Sequence, residues 1–341
     1  MKIKSKWTYC YRKGLQAAMV SNNHHIIGDK LYFTLSYGRC PWYGLILELD
    51  LLTQACRTVF EENHIIGRLG LYEEERFYFT SFRGVTLCVG LNGSLLWETK
   101  IGNGNPSPKI LIDGERLYVS NNSLFCLNKN TGEILWTNKD YNQKNNCNLF
   151  CNDDYIYSGE QGGKIYCINK LTGDTCWDYG KKEWISNCMM LENGHLMLNH
   201  IHGKFIFLDS DKGKLINIVK AKGYLYREPI FDNGKMYIGD ANDVINSTAG
   251  TMTCYKMTGD KMKKVFSVTV GGGISTEAVI RGDRLFFAAE DSYLYCINKN
   301  TGEELMTRKK TKGVCRNIIA GKEELIVLSD KGQVECFTIA L

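Results

Sequence analysis

Short runs of alternating apolar and polar residues, separated by polar turns, fill almost the whole chain. The segment 117–136, LYVSNNSLFCLNKNTGEILW, holds three such runs, with turn residues at 121–123 and 128–133 between them. This alternation is typical of half-buried strands in an antiparallel sheet. The Thr131–Gly132 step suits a tight turn, because glycine accepts a positive φ without a Cβ clash. The segment therefore predicts consecutive antiparallel strands joined by short turns.

The same pattern recurs along the chain. Segments 156–177 (IYSGEQGGKIYCINKLTGDTCW) and 285–306 (LFFAAEDSYLYCINKNTGEELM) repeat its strands and turns. Eight copies can be aligned on the first apolar residue of their second strand, which falls at Leu31, Phe77, Leu117, Ile156, Leu196, Met236, Leu285 and Leu325. A period of about 40 residues with several short strands in each copy is typical of a β-propeller, in which one copy forms one four-stranded blade.

The predicted fold is an all-β, eight-bladed β-propeller that forms a single domain, 1–341. The predicted blades are 15–62, 63–103, 104–143, 144–182, 183–222, 223–271, 272–311 and 312–341 with 2–12. The eighth copy supplies only three strands, whereas the segment 4–11, KSKWTYCY, places Trp7 where an outer strand would have it. We therefore expect the N-terminal strand to complete the last blade, which removes an open sheet edge.

Six of the 14 cysteines occupy the same place in the third strand of their copies: Cys88, Cys126, Cys167, Cys254, Cys296 and Cys336. One interpretation is a set of metal ligands or redox pairs; the other is a small buried apolar side chain between neighbouring blades. Equivalent positions on different blades are too far apart for disulfides, which favours packing. Cys147 and Cys151, with histidines further along the chain, form only one C-x₃-C pair, which is weak evidence for zinc. We predict no metal and no cofactor.

Composition is typical of a globular protein, with 44% hydrophobic and 23% charged residues among 341 and a formal charge of +5. The N-terminal segment MKIKSKWTYCYRKG is charged and lacks the apolar core of a secretory signal. No stretch approaches the roughly 18 apolar residues of a membrane span. We therefore expect a cytoplasmic protein whose cysteines are mostly thiols.

Two copies carry the pattern Cys-x-Asn-x-x-Thr-Gly-x-x-x-Trp, at 126–136 and 167–177, and a third at 296–306 keeps the frame with Met306 in place of Trp. This pattern resembles the tryptophan-docking motif of the PQQ-like (quinoprotein-type) eight-bladed propellers, with Cys for Ala and Asn for Asp. The resemblance implies that Trp97, Trp136 and Trp177 pack between adjacent blades. The family includes PQQ-dependent dehydrogenases, an outer-membrane assembly lipoprotein and members without a cofactor. The chain lacks the adjacent Cys-Cys pair typical of the dehydrogenases, so we expect a non-enzymatic cytoplasmic member.

Charges separate when the loops are sorted by the end of the blade from which they emerge. Acidic residues gather in the turns between first and second strands, such as Glu73 to Glu75 and Asp153–Asp154. Basic residues gather in the crossovers between blades, such as Lys181–Lys182. The two longest copies have their extra residues at 36–44 and 241–248, which we predict to be loops between second and third strands, at the same end as the crossovers. Insertions at one end of a repeat array often mark its binding surface.

These observations predict a non-catalytic protein-interaction module that holds a protein with an acidic contact surface. Aromatic anchors among basic side chains are typical of interface hot spots. The candidate partner-binding residues are Arg39, Trp42, Tyr43, Tyr141, Lys182, Trp184, Tyr224, Tyr226 and Arg227. An immunity or antitoxin-like protein that blocks its partner is a concrete version of this hypothesis.

Three alternatives stay open at this point. The aromatic residues can simply cover the core while the lysines solvate the loops. A small-molecule binder or PQQ-type enzyme would place its site in a central channel and would need inward-facing carboxylates there. Nucleic-acid binding by the basic crossovers would weaken steeply with salt, and the acidic residues interspersed among them, such as Glu61, Glu62 and Glu183, argue against it.

Overall fold

The computed structural model describes residues 3–11, 19–38, 42–66, 70–103, 110–143, 149–159, 161–191, 193–225, 227–243, 247–306, 309–321 and 324–339. Within these ranges every regular element is a β-strand, as the alternating pattern predicts. The same ranges contain no helix long and apolar enough to cross a membrane.

The strands follow one another at the spacing of the sequence repeat. The first part of the chain forms β1 Ile3–Cys10, β2 Met19–Ile27, β3 Lys30–Gly38, β4 Trp42–Asp50, β5 Cys56–Glu62, β6 Leu71–Glu73, β7 Arg76–Ser81, β8 Val85–Gly90, β9 Leu95–Lys100, β10 Leu111–Asp113, β11 Arg116–Asn128, β12 Ile134–Gln143, β13 Phe150–Cys151, β14 Tyr155–Gly159 and β15 Gln161–Asn169. The remainder forms β16 Thr175–Met190, β17 His195–His200, β18 Lys204–Asp209, β19 Leu215–Lys220, β20 Ile230–Asp232, β21 Lys235–Gly239, β22 Gly250–Thr258, β23 Lys261–Val270, β24 Val279–Arg281, β25 Arg284–Ala288, β26 Tyr293–Asn298, β27 Lys309–Lys310, β28 Cys315–Ala320, β29 Glu324–Ser329 and β30 Gln333–Ile339.

These strands make eight four-stranded antiparallel blades, which confirms the predicted fold class. Blades 1, 2, 6 and 7 are the sheets β2–β5, β6–β9, β20–β23 and β24–β27, each in sequence order. In blade 3, β11 supplies both middle strands: the chain reverses at Asn122, whose φ is 55°, and the Lys129 amide donates to the Glu115 carbonyl at 2.9 Å. The sheet β13–β19 contains blades 4 and 5, because β16 is the outer strand of one and the inner strand of the next.

The N-terminal strand completes the eighth blade, as predicted. This sheet has the order β1-β30-β29-β28, so the first strand of the chain lies outermost. Trp7 pairs with Cys336, in the register that Trp97 has with Cys88 and Trp136 has with Cys126. The N-terminal tryptophan therefore occupies the same place as the outer-strand tryptophans of the internal blades.

The described chain packs as two compact units, one formed by Met1–Asn22, Ile201–Phe205 and Asn217–Leu341 and the other by Asn23–His200 and Ile206–Ile216. The single domain 1–341 and its blade boundaries therefore stay predictions. Each unit has its own apolar clusters between adjacent sheets, such as Phe77, Phe79 and Leu87 in the second unit and Leu285, Phe287 and Ile297 in the first.

Of the two predicted insertion loops, one is wrong in extent. In blade 1 the extra residues lengthen a hairpin instead, because β3 continues to Gly38 and β4 begins at Trp42, with Tyr37 paired to Tyr43. The pairing of Ser36 with Gly44 and of Tyr37 with Tyr43 carries the hairpin further than its turn residues suggest. In blade 6, β21 ends at Gly239 and β22 begins at Gly250, and between them the Asn242 Oδ1 accepts the amides of Thr248 and Ala249, both at 3.1 Å.

The six third-strand cysteines are fully buried, which confirms their predicted packing role. Five of them pair with a residue of the second strand in their own blade, as Tyr78 pairs with Cys88. Burial raises the pKa of the Cys88 and Cys126 thiols to about 11 and that of Cys336 to about 12. These thiols therefore stay neutral at physiological pH and act as small apolar side chains.

The tryptophans pack between adjacent blades, as the family resemblance implies. The Trp97 Nε1 donates to the Lys129 carbonyl of the next blade at 2.9 Å, and a Cβ added to Gly132 would lie 2.6 Å from the Trp97 ring. Gly173 has the same relation to Trp136, and Gly213 to Trp177. The glycine is required both by its positive φ, 75° at Gly132, and by the approach of the ring. In blade 6, Phe266 takes the place of the tryptophan against Gly302.

A buried lysine forms a second contact between blades. Lys129, with a side chain only 4% exposed, lies 2.9 Å from a carboxylate oxygen of Glu73 in the preceding blade. Lys170 contacts Asp113 at 2.6 Å, and Lys299 contacts Asp232 at 2.8 Å. Some of the acidic residues predicted in these turns therefore have their charge neutralised by a buried lysine of the next blade. The sequence signal for this contact is the Asn-Lys step that all three copies carry just before their Thr-Gly turn.

Candidate interaction surface

Each blade has two ends, which we name by their connections. The crossover end carries the loops between second and third strands and the connections to the next blade. The turn end carries the other two turns. The predicted partner-binding residues belong to the crossover end, so the described side chains at this end are the first test of the candidate site.

One aromatic pair lies at the crossover end of blade 1. The rings of Tyr37 and Tyr43 stack with their centroids 5.5 Å apart, because the two residues stand opposite each other in the β3–β4 hairpin. The Tyr37 hydroxyl donates to Glu61 at 3.4 Å. Both tyrosines are half-buried, so part of each ring packs against the protein and part is accessible to solvent.

A second aromatic pair lies at the crossover end of blades 5 and 6, within one compact unit. The His202 and Tyr224 rings meet edge to face at 5.5 Å, with His202 exposed and Tyr224 half-buried. Tyr224 is positioned by its backbone: its amide donates to the Ala241 carbonyl at 2.7 Å, and the Ala241 amide donates back at 3.1 Å. The exposed Lys222 precedes Tyr224 by two residues. This group combines an aromatic anchor with an exposed cation on a fixed backbone.

A buried carboxyl group adjoins this second pair. Asp240 is 8% exposed, and its Oδ1 accepts the Thr251 amide at 2.7 Å. A Cβ added to Gly223 would lie 2.9 Å from the Asp240 Cγ, which shows how closely the Lys222–Tyr224 segment covers this carboxyl group. Burial raises the pKa of Asp240 to about 6, and the positive charge of Lys222 opposes that rise. Asp240 is thus mostly ionised at pH 7 and protonated in mild acid.

Exposed lysines make this end basic. Six lysines of the crossovers have exposed side chains and no ion pair with any other described residue: Lys100, Lys139, Lys220, Lys222, Lys310 and Lys312. The arginine at the crossover end of blade 2 behaves differently, because Arg83 bonds to both Glu62 and Glu98 and its charge is neutralised locally. The free positive charge therefore comes from the lysines.

The structure removes Tyr141 from the candidate surface. Its side chain is completely buried, its hydroxyl shares a hydrogen bond with Ser158 at 2.5 Å, and its ring lies 5.4 Å from that of Tyr166. Asn138 fixes the backbone here by accepting the Tyr141 amide. The neighbouring charged residues Lys139 and Asp140 are exposed, and their polarity suggested an exposed tyrosine. The prediction of Tyr141 as a partner-binding residue is wrong, because the β11–β12 register is irregular between Asn138 and Gln143 and the side chain turns inward there.

The other predicted residues divide into three groups. Tyr43, Tyr224 and Arg227 are half-buried at the crossover end, and Arg227 lies close enough to Cys315 for its charge to lower the pKa of that thiol against the effect of burial. For Trp42, Lys182 and Trp184 the structure describes the backbone in β4 and β16 but not the side chains. Arg39 and Tyr226 lie outside the described residues. Exposed His202, which completes the second aromatic pair, was missed because a single histidine after a strand carries no distinctive pattern.

Comparisons with known proteins bear on the fold. Residues 63–138, which form blade 2 and most of blade 3, match the family model described as outer membrane protein assembly factor BamB. The BamB structure from Moraxella catarrhalis superposes with a TM-score of 0.69 at 15% identity, covering 99% of this chain and 100% of that one. The resemblance to PQQ-like propellers is confirmed.

Other solved structures share the propeller fold with this chain. A europium-containing methanol dehydrogenase aligns with a TM-score of 0.73 at 11% identity, over 99% of this chain and 93% of the enzyme. Sqt1 from Saccharomyces cerevisiae aligns with a TM-score of 0.76 at 12% identity over the full length of both chains. No curated protein matches the chain in sequence. An assembly factor and an enzyme thus have the same fold, and the function must be argued from the side chains.

Proposed function

We propose that this protein is a non-catalytic protein-interaction module that binds an acidic protein surface at the crossover end of its blades. The observation that carries the proposal is the Lys222–Tyr224–His202 group, an exposed cation beside a partly exposed aromatic pair on a backbone fixed by two hydrogen bonds. Rigid aromatic side chains supply contact area at low entropic cost, and unpaired lysines attract an acidic partner and speed its approach.

The comparisons support a role in protein interaction. The family model that matches residues 63–138 is described as an assembly factor, and one of the structural neighbours is a BamB protein. Within the described residues, no group of three His, Cys, Asp or Glu side chains is placed to hold a metal ion. A cytoplasmic location, with six buried thiols as packing groups, is part of the proposal. So is the immunity or antitoxin-like role, in which the module would block the activity of its partner.

The test is a pull-down from native lysate with the double variant Lys222→Glu, Tyr224→Ala. Truncation of Tyr224 leaves its two backbone hydrogen bonds in place, so the fold should survive, and circular dichroism checks this. The matched control is Lys212→Glu, Tyr155→Ala, which changes an exposed lysine and a half-buried tyrosine at the turn end.

The proposal expects one protein to be retained in a stoichiometric amount by the wild type and by the control variant, and to be lost from the Lys222 and Tyr224 variant. Retention should weaken as salt rises, because the exposed lysines are screened. Equal retention by all three proteins would place the interface elsewhere and overturn the proposed surface.

A further inference from the structure

Blade 4 carries two cysteines that face each other in neighbouring strands. Cys167 of β15 pairs with Trp177 of β16. The next pair joins Ile168 to Thr175, which leaves Cys176 as the extra residue of a β-bulge, opposite Cys167 together with Trp177. Facing Cα atoms in an antiparallel pair lie about 4.5–5.5 Å apart. This separation is within the range of about 4.4–6.8 Å that a disulfide spans.

The side chain of Cys176 lies on the same side of the sheet as that of Cys167. Burial is the main cause that raises the pKa of the Cys167 thiol, and Cys176 raises it further, through its charge and through a hydrogen bond between the two side chains. The charge of Cys176 is also the main cause that raises the pKa of Tyr155, which packs against the same apolar cluster as Cys167. A thiol is only a weak donor and acceptor, so these interactions require that the two sulfur atoms are close.

The two thiols differ in their access to solvent. Cys167 is completely buried, whereas Cys176 is exposed, with its Sγ 3.9 Å from the Asp174 carbonyl oxygen. Oxidation of a cysteine follows the exposure of its thiol as well as its ionisation. An oxidant therefore meets Cys176 first, and Cys167 stands behind it as the resolving thiol.

The same register in other blades brings a different side chain to the third-strand cysteine. In blade 3 the extra residue opposite Cys126 is Leu135. In blade 8 it is Lys6, and the positive charge of Lys6 opposes the rise that burial causes in the pKa of Cys336. The side chain of the bulge thus comes close to the buried sulfur in blade 8 as well, and in blade 4 that side chain is a thiol.

We propose that Cys167 and Cys176 form a reversible oxidation site, which hydrogen peroxide closes to a disulfide and a thiol such as glutathione reopens. This inference is independent of the proposed function, because it concerns two strands of blade 4 and no partner protein. The disulfide would join β15 to β16 directly beside Trp177, which packs on Gly213 of the next blade and donates to the Ser210 carbonyl at 3.0 Å.

The closing reaction consumes one peroxide. The Cys176 thiolate attacks one oxygen of the peroxide and becomes a sulfenic acid, while the other oxygen leaves as hydroxide and takes up the proton that the thiol lost. The Cys167 sulfur then attacks the Cys176 sulfur, the S–O bond breaks, and the hydroxide leaves as water with the Cys167 proton. Two thiols and one peroxide give one disulfide and two waters. Two glutathione molecules reverse the oxidation and leave as their own disulfide.

Trypsin separates the two cysteines, so a link between them can be detected directly. Cleavage after lysine leaves Cys167 in the peptide 165–170, IYCINK, and Cys176 in the peptide 171–181, LTGDTCWDYGK, with no other cysteine in either. The folded, reduced chain is treated with a small excess of hydrogen peroxide, and the remaining thiols are blocked with N-ethylmaleimide in urea. The digest is analysed by mass spectrometry without reduction.

The test variant is Cys176→Ser, which alters an exposed side chain, and the matched control is Cys151→Ser, which alters a half-buried cysteine of the same blade. The proposal expects the two peptides to be joined in most of the oxidised wild type and control variant, and to be separated again by glutathione. In Cys176→Ser, Cys167 should be recovered with its N-ethylmaleimide label. Cys126, which faces Leu135, should be labelled in all three proteins.

Three results would overturn the proposal. One is a wild type in which both thiols are still labelled after the peroxide treatment. Another is Cys176 oxidised to a sulfinic acid while Cys167 remains a thiol, because the two sulfur atoms would then be too far apart to react. The third is a disulfide between Cys176 residues of two copies of the chain, detected as a dimer on a non-reducing gel.

Discussion

Truncation of Trp97 should cost a large part of the stability of the fold. The side chain is 9% exposed, packs on Gly132 of the next blade, and lies 6.1 Å from the Tyr78 ring. Replacing a buried tryptophan by alanine typically costs about 3–5 kcal/mol, and the lost Nε1 hydrogen bond to Lys129 adds about 1 kcal/mol. We expect Trp97→Ala to lower the free energy of unfolding by about 4–6 kcal/mol, against a typical total of about 5–15 kcal/mol.

The phenylalanine variant separates packing from hydrogen bonding. Phe266 occupies the equivalent place opposite Gly302 in blade 6, so a phenylalanine ring fits this kind of contact. Trp97→Phe should therefore lose the hydrogen bond and only part of the packing, about 1–2 kcal/mol. Urea unfolding followed by both circular dichroism and fluorescence gives the midpoints and slopes. A Trp97→Ala protein within about 1 kcal/mol of the wild type would refute the role of tryptophan docking.

Three further predictions follow from the same contacts. Gly132→Ala should destabilise the fold by about 2 kcal/mol more than Gly114→Ala in urea unfolding. Both glycines have a positive φ, but only at Gly132 would the new Cβ meet a ring. Equal losses of stability in the two variants would contradict the close approach of the Trp97 ring. Burial lowers the pKa of His24 to about 4; because the unfolded pKa is about 6.5, its contribution is complete above that pH and is lost as the pH falls toward 4. The free energy of unfolding should then be lower at pH 5 than at pH 7 by about 1–2 kcal/mol from this group. His24→Asn should reduce that difference, and an unchanged pH profile in the variant would exclude this role of His24. Lys170→Met should lower the free energy of unfolding, measured by thermal unfolding, by about 1–3 kcal/mol. The variant loses the hydrogen bond from Lys170 to the Asn152 carbonyl at 3.0 Å and leaves the Asp113 carboxylate without its partner. A stabilised variant would show that desolvation of the lysine outweighs these contacts.

The parts of the fold that repeat could be predicted from the sequence. Eight copies of one strand pattern determine the number of blades, and the third-strand cysteine with the tryptophan about ten residues later fixes the packing between blades. The N-terminal strand could be placed because Trp7 reproduces the outer-strand tryptophan, and its pairing with Cys336 confirms the reasoning. Because the strand pattern is repeated in eight copies, each structural position can be inferred from several equivalent residues of the sequence.

The interaction surface was harder to predict, because it depends on single positions. Tyr141 follows the exposed Lys139 and Asp140 and yet is buried, because the strand register is irregular between Asn138 and Gln143 and the sequence does not reveal that irregularity. Lys129 and Lys170 are buried although lysine is ordinarily exposed, because a carboxylate from the preceding blade meets each one.

Native mass spectrometry of the protein, isolated from its own host under mild conditions, tests the central claim most directly. The account predicts a complex whose added mass is that of a polypeptide, and predicts that Lys222→Glu, Tyr224→Ala abolishes it. A wild-type protein that instead carries a ligand of a few hundred daltons, unaffected by that variant, would contradict the interaction module and favour a small-molecule site.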